Sequence, residues 1–381
     1  MNLLDRHIFK SLLVTCVAAV CLFAFVLMAG NILRDMLGPL LSGQLHFVTF
    51  AKLVLLLLPV VISYALPLGM LTSVLLTLGR LSSDSEITAM RAAGLSVPRI
   101  AMPIYALAVI AVAIGLRVNF ESMPWAKVQY ERQLLAAMRS NPLSFIVPKK
   151  FIRDFSGSVV YIGSMKDTDL RDVWWWQLDD ERRVLRLVHA ESGHVEFDGA
   201  ANDLIITLAS ARGEEHDRKK PEDFTQPLML SSAGQVDPIR LSLSQYFSTP
   251  TVRQKLPWMT YGELAAEKAR LEQRPAEPGD PRQRERDVMK VALTIQDKFS
   301  MAIAIFTFAF VAIPLGIKVS RRETSANLGV AVLLALGYYF LTVMIGWLDQ
   351  HPEYRPDLLL WLPNLFFLSL GFWMLRRLDR A

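Results

Sequence analysis

Histidine and acidic side chains are the residues of this 381-residue sequence best suited to bind a metal or catalyse a reaction. None of the six histidines lies in an H-E-x-x-H pattern or at another spacing typical of metal ligands. His189 and His194 flank Glu191, but in a predicted strand and turn. The sequence also lacks a phosphate-binding G-x-x-x-x-G-K-[ST] loop and a G-x-S-x-G nucleophile motif. It therefore predicts no catalytic residue, no metal site, no bound cofactor and no ATPase within this chain.

A loop at residues 80–99 carries the most distinctive set of charged and helix-capping residues. Ser83 and Glu86 have the spacing of a capping box, and Arg91 suits the last turn of a helix. A glycine and a proline then form a stop signal. The spacing predicts a helix over about 84–93, about 15 Å long at 1.5 Å per residue. Such a helix is either an ordinary interfacial loop or a coupling helix that docks on a separate motor.

Six long stretches without any charged residue must position this loop. The sequence has 41 Lys and Arg and 36 Asp and Glu, all outside these stretches. A charge-free apolar run of about 17 to 25 residues spans the hydrocarbon core of a bilayer as a helix. Strands of a membrane barrel would be about ten residues long and would alternate in polarity. The predicted spans are 11–33, 53–78, 100–116, 299–317, 328–348 and 358–375.

The distribution of basic residues predicts the orientation of the spans. Short loops and termini on one side contain eleven Lys and Arg, whereas those on the other side contain three. Because cytoplasmic loops are enriched in these residues, both termini are predicted to be cytoplasmic. The alternative that 11–33 is a cleaved signal peptide is disfavoured, because its apolar run is long and its removal would contradict the charge pattern. We attribute the mild net positive charge to topology signals and predict no nucleic-acid partner.

The chain between the third and fourth spans forms an insertion of about 180 residues outside the cytoplasm. Short runs rich in Val, Ile, Trp and Phe predict a β-sandwich or jelly roll, and the mixed charges at 212–223 predict a solvated loop. After Pro257, Thr260 and Glu263 predict a capped helix. A second polar helix is expected to run from Arg282 into the fourth span. The predicted strands are 145–151, 158–164, 172–178, 184–189, 193–197 and 203–209.

The fold class is therefore an α-helical membrane protein with six transmembrane helices, three before and three after an inserted β domain. The expected segments are 1–117 with the first three spans and the helix at about 84–93, 118–257 with the β domain, 258–298 with a helical connector, and 299–381 with the last three spans.

Three segments of the membrane part resemble the lipopolysaccharide-export permeases, the LptF/LptG family. These are ALPLGMLTSVLLTLGRLSSDSEITAMRAAGLS at 65–96, AIPLGIKVSRRETSANLGVAVLLALGYYFL at 312–341 and LLLWLPNLFFLSLGFWMLRR at 358–377. The match covers both membrane halves in order and the insertion in layout. Looser matches at 138–147, 169–178 and 190–196 resemble the LptF branch of the family.

The resemblance implies six helices and a periplasmic β-jelly roll, in the inner membrane of a Gram-negative bacterium, with residues of about 118–298 in the periplasm. It implies a second permease of the same family, a cytoplasmic ABC ATPase dimer that binds ATP and Mg, and periplasmic jelly-roll bridge proteins. Such a complex extracts lipopolysaccharide from the inner membrane. It also implies functional residues. The ATPase-coupling positions are Glu86, Ile87, Met90, Arg91 and Gly94.

Three basic residues are candidates for binding the lipid substrate. Arg34 lies at the outer end of the first span, where the family has a basic residue near the substrate phosphates, and a guanidinium binds phosphate in a bidentate manner. Lys52 and Arg117 are added because they lie at the same predicted depth. Each of the three is otherwise an interfacial anchor whose charged end reaches towards water.

Three other functions compete with export. A membrane scaffold would recruit envelope proteins through its β domain and would need no ATPase. A mechanotransmission permease would move an outer domain without moving lipid. An envelope-lipid enzyme is the least favoured, because no catalytic constellation is present in the sequence.

Overall fold

The computed structural model of the protein describes most of the chain, in two compact units. The described residues are 3–33, 47–140, 143, 146, 148–153, 157–179, 181, 183–199, 203–215, 229–242, 255–274, 283–318 and 324–379. The helical unit comprises Met1–Leu33, Val54–Tyr130 and Gln254–Ala381. The β unit comprises Arg34–Leu53 and Glu131–Arg253.

Within the described residues, six helices are long and apolar enough to cross a membrane, which confirms the six predicted spans. Before the sheet, the helices are α1 (Leu3–Leu27), α2 (Phe47–Ser83), α3 (Glu86–Ala92), α4 (Val97–Arg117) and α5 (Met123–Ser140). Short π-helical segments extend α1 (Met28–Leu33) and join α4 to α5 (Val118–Ser122). Prolines inside α2 and α4 do not end either helix.

The second half of the chain returns to the membrane through a capped helix, as predicted. Its helices are α6 (Tyr261–Gln273), α7 (Gln283–Lys318), α8 (Thr324–Gly346), α9 (Pro356–Leu359) and α10 (Leu362–Asp379). Short 3₁₀ turns lie at Leu256–Trp258, Trp347–Gln350 and Pro352–Tyr354. The capping box that begins α6 is formed in both directions: the Thr260 amide donates to Glu263 Oε2 at 2.8 Å, and the Glu263 amide donates to Thr260 Oγ1 at 3.4 Å.

Helix α7 is much longer than a bilayer requires. Its 36 residues extend about 54 Å at 1.5 Å per residue, against a hydrocarbon core of about 30 Å. The polar turns at its start and the apolar span form one unbroken helix, as the sequence predicted. Its apolar residues belong to the main core of the bundle, together with residues of α1, α2, α4, α8 and α10.

A network of buried polar side chains joins α7, α8 and α10 inside the bundle. Asn364 accepts a hydrogen bond from Thr307 Oγ1 at 2.9 Å and donates to Ser300 Oγ at 2.8 Å and to the Ser300 carbonyl at 3.2 Å. The Tyr338 hydroxyl lies 3.4 Å from Asn364 Oδ1 and from Ser300 Oγ. Because lipid offers no hydrogen-bond partner, these groups satisfy one another across helices.

The described strands form one six-stranded antiparallel sheet in which spatial order equals chain order. The strands are β1 (Phe151–Ile152), β2 (Ser158–Lys166), β3 (Asp169–Leu178), β4 (Val184–Asp198), β5 (Asp203–Glu215) and β6 (Met229–Ser242). The inserted β domain is confirmed. The described strands run as a meander whose buried residues come from all six strands and form one core.

A line of outward-facing residue pairs explains how one sheet surrounds its own core. In β3, β4 and β5, two consecutive exposed residues interrupt the alternation of buried and exposed side chains. These pairs, 171–172, 191–192 and 209–210, are aligned by the strand register. Asp172 and Ser210 have positive φ values of 56° and 55°. Such irregularities bend strands, and on both sides of the line the sheet directs apolar residues into the same core.

Several strand predictions were wrong, for related reasons. The predicted strand at 145–151 reduces, in its described part, to the start of β1 at Phe151. The runs at 184–189 and 193–197 are one strand, because β4 continues to pair with both neighbours across the outward pair. The first residues of the supposed loop at 212–223 belong to β5 as far as Glu215, and β6 was not predicted. The rest of that loop, 216–223, lies outside the described residues.

We expect Asn364→Leu to loosen the contact between α7 and α10. The change removes four hydrogen bonds, three of them to α7, from a site that is 1% exposed. Hydrogen bonds between membrane helices average about 0.6 kcal/mol, so the free energy of unfolding should fall by about 2 kcal/mol. Unfolding in mixed micelles measures this difference. Ser369→Ala, which alters an exposed side chain of the same helix, is the control, and equal stability of the two variants would contradict the expectation.

Candidate functional site

The loop at 80–99 forms a shorter helix than predicted, and its predicted capping box is wrong. Helix α2 continues to Ser83, whose hydroxyl donates to the Arg80 carbonyl at 2.8 Å. Helix α3 begins at Glu86 after Ser85, which has a φ of 62° and makes no side-chain capping bond. Ser83 is unavailable as a cap because it belongs to the last turn of the preceding span. Helix α3 therefore has seven residues instead of about ten.

The predicted end of this helix is confirmed. Gly94 has a φ of 85°, its amide donates to the Arg91 carbonyl at 2.9 Å, and the Leu95 amide donates to the Met90 carbonyl at 3.1 Å. A glycine suits this left-handed position because it has no Cβ. Pro98 then lies in the first turn of α4. Gly94 thus has a local structural role whatever else contacts it.

The five candidate coupling residues lie on two sides of α3. Ile87 and Met90 are buried, at 3% and 8% exposure, and belong to the main core of the bundle. Glu86, Arg91 and Gly94 are exposed. Ile87 and Met90 therefore fix the helix to its own chain, and the surface open to a partner is the charged one.

Hydrogen bonds hold the surroundings of α3 at the end of the bundle where α1 begins. Arg99 forms a bidentate ion pair with Asp5, with distances of 2.8 and 3.0 Å, which joins α4 to α1. Arg80 Nη2 donates to Ser11 Oγ at 2.9 Å. Ser82 Oγ donates to the Ile317 carbonyl at 3.0 Å, which joins α2 to α7. Helix α3 is thus attached to a framework of four spans.

Sequence reasoning missed Asp5 as a partner in this framework. The only signal was a single acidic residue in the first turn of a membrane helix, with basic residues expected on the same side. The side chain of Asp5 is 11% exposed, so the ion pair is partly shielded from water. An interaction of this kind fixes the relative position of two spans because the planar guanidinium holds both carboxylate oxygens.

The three candidate lipid-binding residues have different surroundings. Arg34 lies outside the described residues. Lys52 is exposed in α2, near its first turn. The Arg117 side chain is 78% exposed at the end of α4, and its Nε lies 3.3 Å from Glu121 Oε2. Exposed ion pairs of this type contribute little, so the Arg117 charge remains accessible to an anionic ligand.

The two histidines that flank Glu191 pair with different carboxylates of the sheet. His189 Nε2 lies 3.0 Å from Asp172 Oδ1, and its ring stacks on Trp174 with the centroids 4.1 Å apart. His194 Nδ1 lies 3.1 Å from Asp169 Oδ1. These contacts connect β3 to β4 and give both histidines a local role.

Comparison with known proteins identifies the kind of protein to which this arrangement belongs. The family model described as lipopolysaccharide export system permease LptF/LptG matches residues 6–377. The chain belongs to this family. The match spans both halves of the bundle and the inserted sheet, which confirms the resemblance found in the three membrane segments.

The curated relatives are distant but nearly full length. The chain is 21% identical over 374 residues to the lipopolysaccharide export system permease protein LptF of Escherichia coli strain K12, with 96% of this chain and 92% of the relative covered. Relatives with the same name in Escherichia coli O157:H7 and Shigella flexneri match to the same extent. The name agrees with the predicted branch of the LptF/LptG family.

We expect Ile87→Ala to release α3 from the bundle. Replacing a buried isoleucine by alanine typically costs about 2–5 kcal/mol, and Ile87 is one of two buried anchors of α3. Hydrogen exchange of the amides at 86–95 should become faster. Glu86→Ala, at an exposed position of the same helix, should change stability by less than about 0.5 kcal/mol. Equal exchange in the two variants would mean that Ile87 does not anchor the helix.

Proposed function

We propose that this chain is a permease subunit of an ATP-driven exporter that extracts lipopolysaccharide from the inner membrane. It would pass the lipid to periplasmic bridge proteins that lead towards the outer membrane. Membership of the lipopolysaccharide export permease family supports the substrate. The proposed partners are a cytoplasmic ABC ATPase dimer, which binds ATP and Mg, and a second permease of the same family.

One observation carries the energy-coupling step: α3 is fixed by its buried side and exposed on its charged side. A helix of seven residues is too short to be stable alone, yet Ile87 and Met90 pack it against the main core. Glu86 and Arg91 remain exposed for contact with the motor. A movement of the motor against these side chains would be transmitted to the spans, because the ion pair between Arg99 and Asp5 holds α4 against α1 next to α3.

The proposed orientation places α3 and both termini in the cytoplasm and the sheet in the periplasm. The bias of eleven basic residues to three supports it. It also brings the exposed charges of α3 to the compartment that contains ATP.

The surface of α1 suits contact with lipid chains or with a second permease. Phe25 is 68% exposed, and Val14 and Leu22 of the same helix are 62% and 61% exposed. Phe23 and Leu27, by contrast, pack towards a small cluster of α1 and α2 residues that includes Val61 and Ala65. We infer that ATP-driven movement of α3 shifts the first three spans and narrows a lipid cavity bordered by the exposed side of α1.

We expect Glu86→Ala to lower lipopolysaccharide export by at least tenfold while the complex with the ATPase still copurifies. The reason is the loss of an exposed charge that receives the movement of the motor. Transfer of lipopolysaccharide from proteoliposomes and ATP hydrolysis should be measured together. Glu272→Ala removes an exposed carboxylate elsewhere and should leave export unchanged. Normal export by Glu86→Ala would refute the coupling role and favour a scaffold or a mechanotransmitter.

We expect Arg117→Ala to weaken binding of lipopolysaccharide about threefold to tenfold, because a charge-assisted contact to phosphate is lost. The effect should shrink at high salt, since the site is exposed. Glu121→Ala removes the nearby carboxylate and should bind at least as tightly as the unaltered protein. Equal weakening in both variants would indicate that Arg117 acts as a helix-end anchor and not as a lipid contact.

A further inference from the structure

A buried lysine lies at the end of the bundle opposite to α3. Lys298 is 6% exposed in α7, just before the charge-free part of the fourth span. Its ammonium group donates to the Asn119 carbonyl at 2.9 Å and to the Met259 carbonyl at 3.0 Å. A buried ammonium group is costly unless it is hydrogen-bonded. Both acceptors are backbone oxygens. The lysine therefore connects the segment after α4 and the segment before α6 through hydrogen bonds to their backbones.

Asn119 also bonds back to Lys298 and links both residues to the second span, α2. Its side-chain amide donates to the Lys298 carbonyl at 3.0 Å, and its side-chain oxygen accepts a hydrogen bond from Ser63 of α2. Asn119 lies in the π-helical segment Val118–Ser122. Such segments interrupt the regular helical hydrogen-bond pattern, and here the Asn119 carbonyl accepts from Lys298.

Three aromatic rings form a cluster at the start of helix α6, and one of them contacts the lysine. Phe120 lies 4.8 Å from Phe299 and 5.6 Å from Tyr261, measured between ring centroids. Lys298 Nζ lies 5.6 Å from the centre of the Phe120 ring. Tyr261 is the first residue of α6, directly after the Thr260 cap, and Met259 precedes that cap. The start of α6 is therefore fixed through two independent kinds of contact.

The neighbouring space makes these hydrogen bonds more important. A cavity of about 340 Å³ borders the group and is lined by Ser63, Asn119, Lys298 and Thr342, among others. Packing is incomplete beside the lysine, whereas α6 itself is also held by Leu264, which is fully buried. The lysine adds two directional hydrogen bonds at this point, one to the segment after α4 and one to the segment before α6.

We propose that Lys298 is a positioning residue of the exporter, which couples movements of the second, third and fourth spans to helix α6. Helix α6 is the segment by which the chain returns from the sheet to the membrane. A shift of the spans that starts at α3 would thus be transmitted at the opposite end of the bundle through the Lys298 ammonium group. This proposal rests on the proposed export function, but the anchoring itself can be tested without it.

The test compares Lys298→Met with Lys298→Arg and Lys290→Met in the whole permease complex. Lys298→Met keeps the apolar stem and removes both hydrogen bonds, whereas the arginine variant can still donate to two carbonyls. Lys290→Met removes a lysine from the same helix, away from the group described. Amide hydrogen exchange is measured in α6 and in 300–317, and lipopolysaccharide transfer per ATP hydrolysed is measured in proteoliposomes.

For Lys298→Met we expect exchange in α6 to be at least tenfold faster, with no change in 300–317. Transfer per ATP should fall at least fivefold while ATP hydrolysis stays within twofold of normal. Lys298→Arg should recover a large part of both, and Lys290→Met should behave as the unaltered protein. Unchanged exchange in α6 would overturn the anchor. Faster exchange with normal transfer per ATP would overturn the coupling role.

A second variant decides the matter if Lys298→Met does not assemble. Tyr261→Ala alters a residue that is 52% exposed and removes only the ring contacts at the start of α6. Tyr261→Ala should also lower lipopolysaccharide transfer per ATP hydrolysed, by a smaller factor than Lys298→Met, while ATP hydrolysis stays normal. Normal transfer per ATP in this variant would overturn the proposal. Absence of any transfer by the unaltered complex would refute the export function, and the exchange comparison would still test the anchor.

Discussion

The absence of water from the hydrocarbon core is the constraint on which the helical unit depends. Each backbone polar group must be satisfied within its own helix, and a buried polar side chain needs a partner in its own helix or on another. Among the described residues, hydrogen bonds between helices meet this demand in three places. Asp5 and Arg99 pair at one end, Asn364 bonds with Thr307 and Ser300 in the interior, and Lys298 and Asn119 bond at the other end.

Between these places the spans approach one another through small residues. A Cβ on Gly316 of α7 would lie 2.8 Å from Leu78 Cβ of α2, which no real side chain tolerates without movement. Apolar packing between membrane helices is gained from such close contact and not from the expulsion of water. The polar groups then specify which helices are in contact and how they are aligned along their axes, since apolar surfaces alone would allow one helix to shift along another.

The sequence was most informative where one physical effect dominates, and least where two compete. Charge-free runs predicted all six spans because a run of this length without charges can satisfy its backbone in lipid only as a helix. Two capping boxes had the same residue spacing, but only that of Thr260 and Glu263 formed. Thr260 follows a short turn that ends at Trp258, whereas Ser83 is itself the last residue of a 37-residue helix. A cap motif therefore marks a helix start only when the preceding chain is not already helical.

The β domain was predicted less well because its strands change face within their length. At Glu191 and Ser192 of β4 two successive residues point outward, so the alternation that reveals a strand in sequence is lost and a turn is inferred. The ladder to β3 and β5 is nevertheless continuous. Long-range pairing, which is not visible in a local pattern, outweighs the local signal.

At the candidate coupling site, too, the local sequence pattern leaves open a point that packing decides. Periodicity places Glu86 and Ile87 on adjacent stripes of α3 but does not say which stripe faces the bundle. Packing decides it: Ile87 and Met90 turn inward and leave Glu86 and Arg91 outside. A helix whose inner residues were also needed by a partner would have to leave the bundle in order to bind. In the proposed coupling role, separate residues would hold α3 and contact the partner, so the helix could bind the partner while it stays attached to the bundle.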